Sequence, residues 1–177
     1  MVRWAERVAV SLSSLGLRTL SALVLAPPVL AAIWFGSPYF EGMALLAAAI
    51  MAWEWEQIVT KDRFGSSGIA LGLCSLLSLL LLFVNPFFAL VMMGLGAMVA
   101  SLIAPVGTRG WMALGSLYIV LPLSALMLLR VLPDPEGRDI MIWLFLIVWA
   151  TDIGAYVAGL SIGGPKLAPA ISPKKTW

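Results

Sequence analysis

Six apolar runs, each close to the length that crosses a bilayer, follow one another with only short polar turns between them. They run from Leu20 to Phe35, Gly42 to Val59, Ile69 to Val84, Phe87 to Ala104, Trp111 to Leu129 and Ile140 to Leu160. A hydrocarbon core of about 30 Å takes roughly 20 apolar residues as a helix. Inside it every backbone amide must be bonded within its own segment. A chain built this way folds as an all-α, polytopic membrane protein of about six transmembrane helices. Composition agrees: 62% of the 177 residues are hydrophobic and 11% charged, against about 25% charged in soluble domains. The turns hold no soluble domain, linker or repeat, so residues 1–177 read as a single transmembrane helical domain.

The runs carry local marks. Pro27-Pro28 interrupts the first, and Pro122 is expected to kink the fifth, because proline removes a helix hydrogen bond. Gly94, Gly96, Ala97 and Ser101 let helices approach closely in the fourth. The second run ends in Trp53-Glu54-Trp55-Glu56-Gln57, read as an aromatic belt whose acids snorkel to water; no further role for Glu54 or Glu56 follows. The N-terminal segment with Arg3, Arg7 and Arg18 is an interfacial amphipathic helix or a polar lead-in. More spans follow it at once, which argues against a cleaved signal peptide. Cys74, the only cysteine, reads as a small apolar residue and excludes an internal disulfide.

Six spans put both termini on one side of the membrane. That side receives Arg3, Arg7, Arg18, Lys61, Arg63, Arg109, Lys166, Lys174 and Lys175, and the other only Arg130 and Arg138. Nine cations against two place both termini in the cytoplasm by the positive-inside rule. The net charge of +2 is too small to suggest nucleic acid. Histidine is absent, which removes the commonest general base and metal ligand. Chemistry here falls to carboxylates, lysines, hydroxyls and bound metal.

Such residues meet at the C-terminal end. Asp152 stands inside the sixth run, where an ionisable group is expensive and by default functional. Trp149, Asp152, Tyr156 and Gly159 share one helix face. A helix starting at Ile140 puts Asp152 about 18 Å along its axis, past mid-membrane toward the cytoplasm. The plainer alternative is a structural acid bonded to a neighbouring helix. Beyond it, Gly163-Gly164, three prolines, Lys166, Lys174, Lys175, Ser172 and Thr176 form a stiff basic loop. Loops of this kind make anion nests, or simply touch anionic lipid heads.

The order of these residues decides between the two. Asp152-Ile-Gly-Ala-Tyr156, followed by Lys166-Leu-Ala-Pro-Ala-Ile-Ser-Pro-Lys-Lys-Thr-Trp177, resembles the phosphatidate cytidylyltransferases (CDP-diacylglycerol synthases). The resemblance covers roughly the first two-thirds of a family member. The chain ends before the family's Lys-Asp and His-Gly-Gly signature, so it reads as an N-terminal portion, with little or no activity expected of it alone. The resemblance implies a nucleotidyltransferase of phospholipid biosynthesis, joining CTP and phosphatidic acid into CDP-diacylglycerol and pyrophosphate. It implies Mg²⁺ or another divalent metal, with Asp152 as catalytic residue and metal ligand. Lys175 becomes catalytic and phosphate-binding, with Lys166, Ser172 and Thr176 beside it. It implies a multi-pass protein of the cell inner membrane, in contact with lipid and open to homodimer formation. A non-catalytic membrane protein or assembly partner derived from the family is the alternative. A transporter finds no support, because no second intramembrane acid or paired broken helix is present.

Overall fold

The computed structural model describes residues 24–61, 64–161, 166–168 and 172–176, the last two segments as backbone. Six helices follow in order: α1 (Val24–Phe35), α2 (Tyr39–Thr60), α3 (Ser66–Leu81), α4 (Pro86–Ile103), α5 (Arg109–Val131) and α6 (Glu136–Ser161). Two short strands end the chain, β1 (Lys166–Ala168) and β2 (Ser172–Thr176). The fold is all-α apart from this antiparallel pair, which replaces the expected irregular loop. Among the described residues three helices are long and apolar enough to cross a membrane: α4, α5 and α6. Helices α1 and α3 are apolar but shorter, and α2 carries Glu41, Glu54 and Glu56. The protein is a multi-pass membrane protein. The N-terminal arginines and the start of the first run lie outside the described residues.

Helix ends follow local chemistry. Asn85 caps α4, its side chain accepting the Phe87 N–H at 2.8 Å, with Pro86 at the first helical position, where proline loses no bond. Lys61 closes α2 in a left-handed conformation, its N–H bonded to the Gln57 carbonyl. Pro122 lies inside α5, which continues unbroken to Val131.

Short turns make successive helices antiparallel. We call the end where α2, α4 and α6 finish the lower end. Helices α2 to α5 form the packed core: α3 lies against α4, α4 against α5, and α2 against both α3 and α5. Lipid offers no hydrophobic drive between helices, so close packing and interhelical hydrogen bonds hold them. The core fits that account. Ala44, Ala48 and Ala52 form one buried stripe of α2, and Ser75, Ser78 and Ser116 are fully buried. Ser78 Oγ donates to the Ala89 carbonyl at 2.7 Å and Ser116 Oγ to the Met93 carbonyl at 2.8 Å. At the upper end Arg130, 7% exposed, donates its Nε–H to Ile33 O at 2.6 Å and pairs with Asp134. This joins α1 to α5. Helix α6 stands apart and packs chiefly on α5.

Candidate functional site

Helix α6 begins four residues earlier than the hydropathy pattern suggests, at Glu136. Asp152 therefore lies about 24 Å along it. The turn into α6 is tight: Gly137 lies against the carbonyls of Leu129, Arg130 and Leu132.

The face that carries Asp152 is the one turned to α5. Met141 is fully buried, Phe145 packs against the core, and Trp149 is half-buried. Phe145 and Trp149 meet edge to face at 5.8 Å. Asp152 follows at the i+11 position from Met141, on the same stripe. Burial stops at Trp149: every residue from Ala150 to Ala158 is exposed. The neighbouring hydroxyl is satisfied within the helix, since Thr151 Oγ1 donates to Ile147 O and Val148 O at 2.9 Å. Asp152 has no hydrogen-bond or ion-pair partner among the described residues, so nothing described makes it a structural acid. A lone carboxylate on a membrane-crossing helix is costly in hydrocarbon. This stripe needs polar company.

Helix α6 ends at Ser161, about 14 Å beyond Asp152, and β1 starts five residues later. The strands pair with Lys166 opposite Thr176 and Ala168 opposite Ser172, with an irregularity between. Lys166, Lys175 and Thr176 therefore gather at the base of the hairpin, nearest α6. Ser172 is placed at its turn, about 14 Å along β2 from Thr176. Gly163, Gly164, Pro165, Pro169 and Trp177 lie outside the described residues.

The lower end also holds a buried acid that the sequence reading takes for a snorkelling one. Glu54 is exposed, as expected, but Glu56 is 2% exposed. Its carboxylate accepts the Gly65 N–H at 2.8 Å and the Ser67 hydroxyl. It thus ties the start of α3 to the preceding helix, accepting from one amide that a helix start leaves open, that of Gly65, and from the Ser67 hydroxyl. Gly68 makes room for it, since a Cβ there would overlap the carboxylate. The signal available in sequence was weak: an acid nine residues before a Gly-Ser-Ser-Gly helix start. Trp55, beside it, donates Nε1–H to the Trp111 carbonyl at 3.0 Å and stacks on Tyr118 at 4.9 Å.

Among the described residues no three acids, cysteines or histidines gather to cage a metal. A magnesium ion asks less: one or two carboxylates suffice when substrate phosphates complete its shell. Asp152 suits that mode as a single donor.

Residues 16–177 match the sequence model of the cytidylyltransferase family. Three relatives carry the name phosphatidate cytidylyltransferase. That of Brucella suis biovar 1 is 32% identical over 169 residues, covering 94% of this chain and 62% of the relative. That of Pseudomonas aeruginosa is 34% identical over 172 residues, covering 90% and 63%. That of Haemophilus influenzae is 30% identical over 196 residues, covering 90% and 65%. The chain thus spans a little under two-thirds of the length of these relatives. No solved structure matches it.

Proposed function

The chain belongs to the cytidylyltransferase family, and on that premise we propose that it serves phosphatidate cytidylyltransfer, CTP and phosphatidic acid giving CDP-diacylglycerol and pyrophosphate. The observation that carries the reading is Asp152, uncovered on the α5-facing stripe of a membrane-crossing helix that leads into the lysine hairpin. The names of the relatives support it.

A phosphate oxygen of phosphatidic acid attacks the α-phosphorus of CTP. The bond from that phosphorus to the oxygen bridging to the β-phosphate breaks, and pyrophosphate leaves with the electron pair. The nucleophile is already an anion, so no general base is required, in keeping with a chain without histidine. The obstacle is the approach of two polyanions, and fixed cations answer it. Lys166, Lys175 and Thr176 at the hairpin base bind and orient the CTP phosphates, and Ser172 joins them from the turn. Asp152 would hold a divalent metal, Mg²⁺ in this reading, which would supply charge neutralisation and alignment of the phosphates when bound. Asp152 lies in the lower half of α6, about 14 Å from its lower end. The lower end faces the cytoplasm of an inner membrane, and both termini lie there, by the nine-to-two distribution of Lys and Arg.

The test is direct. The complete translation product of the reading frame, purified free of host enzyme, is assayed with CTP and phosphatidic acid in mixed micelles. Metal-dependent CDP-diacylglycerol formation, lost in Asp152→Asn, is the expected result. Absence of product from the well-folded parent overturns the reading.

A further inference from the structure

We infer that Lys174 is a further phosphate-binding residue, acting with Lys166 and Thr176 on the triphosphate of CTP; the inference rests on the function proposed above. The observation that carries it is strand register. Strands β1 and β2 pair antiparallel, Lys166 opposite Thr176 and Ala168 opposite Ser172. Residues directly opposite in such a pair lie on one face, and alternate residues of a strand share a face. Lys166 to Ala168 is a step of two, and Ser172 to Thr176 a step of four. Both steps are even, so the irregularity between the pairs keeps them on the same face. Lys174 is two residues from Ser172 and two from Thr176, in a strand that continues through all five residues. It falls on that face as well.

The hairpin is thereby divided. One face carries Lys166, Ala168, Ser172, Lys174 and Thr176; the other carries Leu167, Pro173 and Lys175. The adjacent lysines are split between the two, and it is Lys174 that shares the face of Lys166. Lys175 sits at the same base on its other side. Lys174 is the diagonal neighbour of Lys166, a separation of about 7–8 Å. Two like charges so placed repel each other, and an anion between them turns that repulsion into attraction to both. Lysine suits phosphate as a compact point charge. Ser172 and Thr176, on either side of Lys174, add hydroxyls that can donate to phosphate oxygens. The row from Ser172 to Thr176 runs about 14 Å. That length matches a chain of phosphates, as a nucleoside triphosphate offers, whereas phosphatidic acid offers only one.

The complete translation product is assayed in detergent–lipid micelles with CTP and phosphatidate varied in turn. Lys174→Ala is expected to raise KM for CTP roughly ten- to hundredfold, the loss of one charged hydrogen bond, with KM for phosphatidate within about twofold of the parent. The melting temperature stays parental. Lys174→Gln, which removes the charge and keeps a long side chain, gives the same reading should the alanine variant fold poorly. Coupling is the sharper measurement. Lys166→Ala combined with Lys174→Ala is expected to lose less than the product of the single losses, because either change alone already loosens the shared phosphate. Lys166→Ala combined with Lys175→Ala, on opposite faces, loses the full product. Parental KM for CTP in both Lys174 variants, or a full product in the Lys166–Lys174 pair, overturns the proposal. A rise in KM for phosphatidate alone also overturns it and assigns the face to lipid phosphate. An inactive parent sinks the function proposed above and this role with it; an active parent with indifferent Lys174 variants sinks the role of Lys174 alone.

Discussion

Arg130 Nε donates to the Ile33 carbonyl at 2.6 Å, joining residues 97 apart in sequence. The same guanidinium reaches the Trp34 carbonyl at 3.4 Å and the Asp134 carboxylate at 3.1 Å. Carbonyls at the end of a helix lack intrahelical partners, and this side chain supplies them from α5. Arg130→Ala leaves the Ile33 carbonyl buried and unpaired, at a cost of about 1–3 kcal/mol. The expected outcome is a lower melting temperature in detergent with α1 protected less than α5 from proteolysis. An unchanged melting curve would contradict the contact.

Glu56 offers a second stability test. Glu56→Ala strands the Gly65 N–H and the Ser67 hydroxyl, each donor losing a buried partner, and destabilisation of about 1–3 kcal/mol follows. Glu56→Gln retains a carbonyl acceptor and loses less. Gly68→Ala reproduces the defect from the other side, because its Cβ overlaps the carboxylate. Thermal denaturation of the three variants checks the order.

Asp152 is exposed and unpartnered among the described residues, so Asp152→Asn is expected to leave the melting temperature at or above the parental value. Turnover should fall by about 10²–10³, the scale of one lost charge contact to a transition state. A variant that melts earlier yet keeps parental turnover would return Asp152 to a structural role.

Lys175→Ala is expected to raise KM for CTP or lower kcat, with KM for phosphatidate little changed. Ser172→Ala, at the turn of the hairpin rather than its base, should have the smaller effect. Steady-state kinetics with each substrate varied in turn separates the two positions, and equal effects would contradict the grouping at the base.

Topology is open to a direct test. Single cysteines at Thr108 and Ser66, in a Cys74→Ala background, are expected to react with impermeant maleimide only from the cytoplasmic side. A cysteine at Asp134 should react only from the opposite side. Labelling of Thr108 and Asp134 positions from the same side would overturn the antiparallel order.

Sequence alone settles the class of solvent and the helical architecture. Length and apolarity admit few answers in hydrocarbon, where backbone amides must close on themselves. The candidate residues were legible for a related reason: a carboxylate in an apolar run such as that around Asp152, and a lysine loop after it, are anomalies of composition visible without coordinates. Periodicity also placed Trp149, Asp152 and Tyr156 on one face. Only the tertiary structure decided what each face meets. Glu54 and Glu56 are two residues apart in the same Trp-Glu repeat, yet one is exposed and the other is 2% exposed. The difference comes from α3, whose first turn lies over Glu56 and not over Glu54. Likewise Met141 and Asp152 occupy one stripe of α6, and only the packing on α5 shows that the upper part is covered and the lower part is not. Pairing of Lys166 with Thr176 is a matter of strand register. The physical reason is the same in each case. Solvent preference is carried by each side chain alone, whereas burial and partnership belong to pairs of segments whose separation in sequence carries no trace of their separation in space.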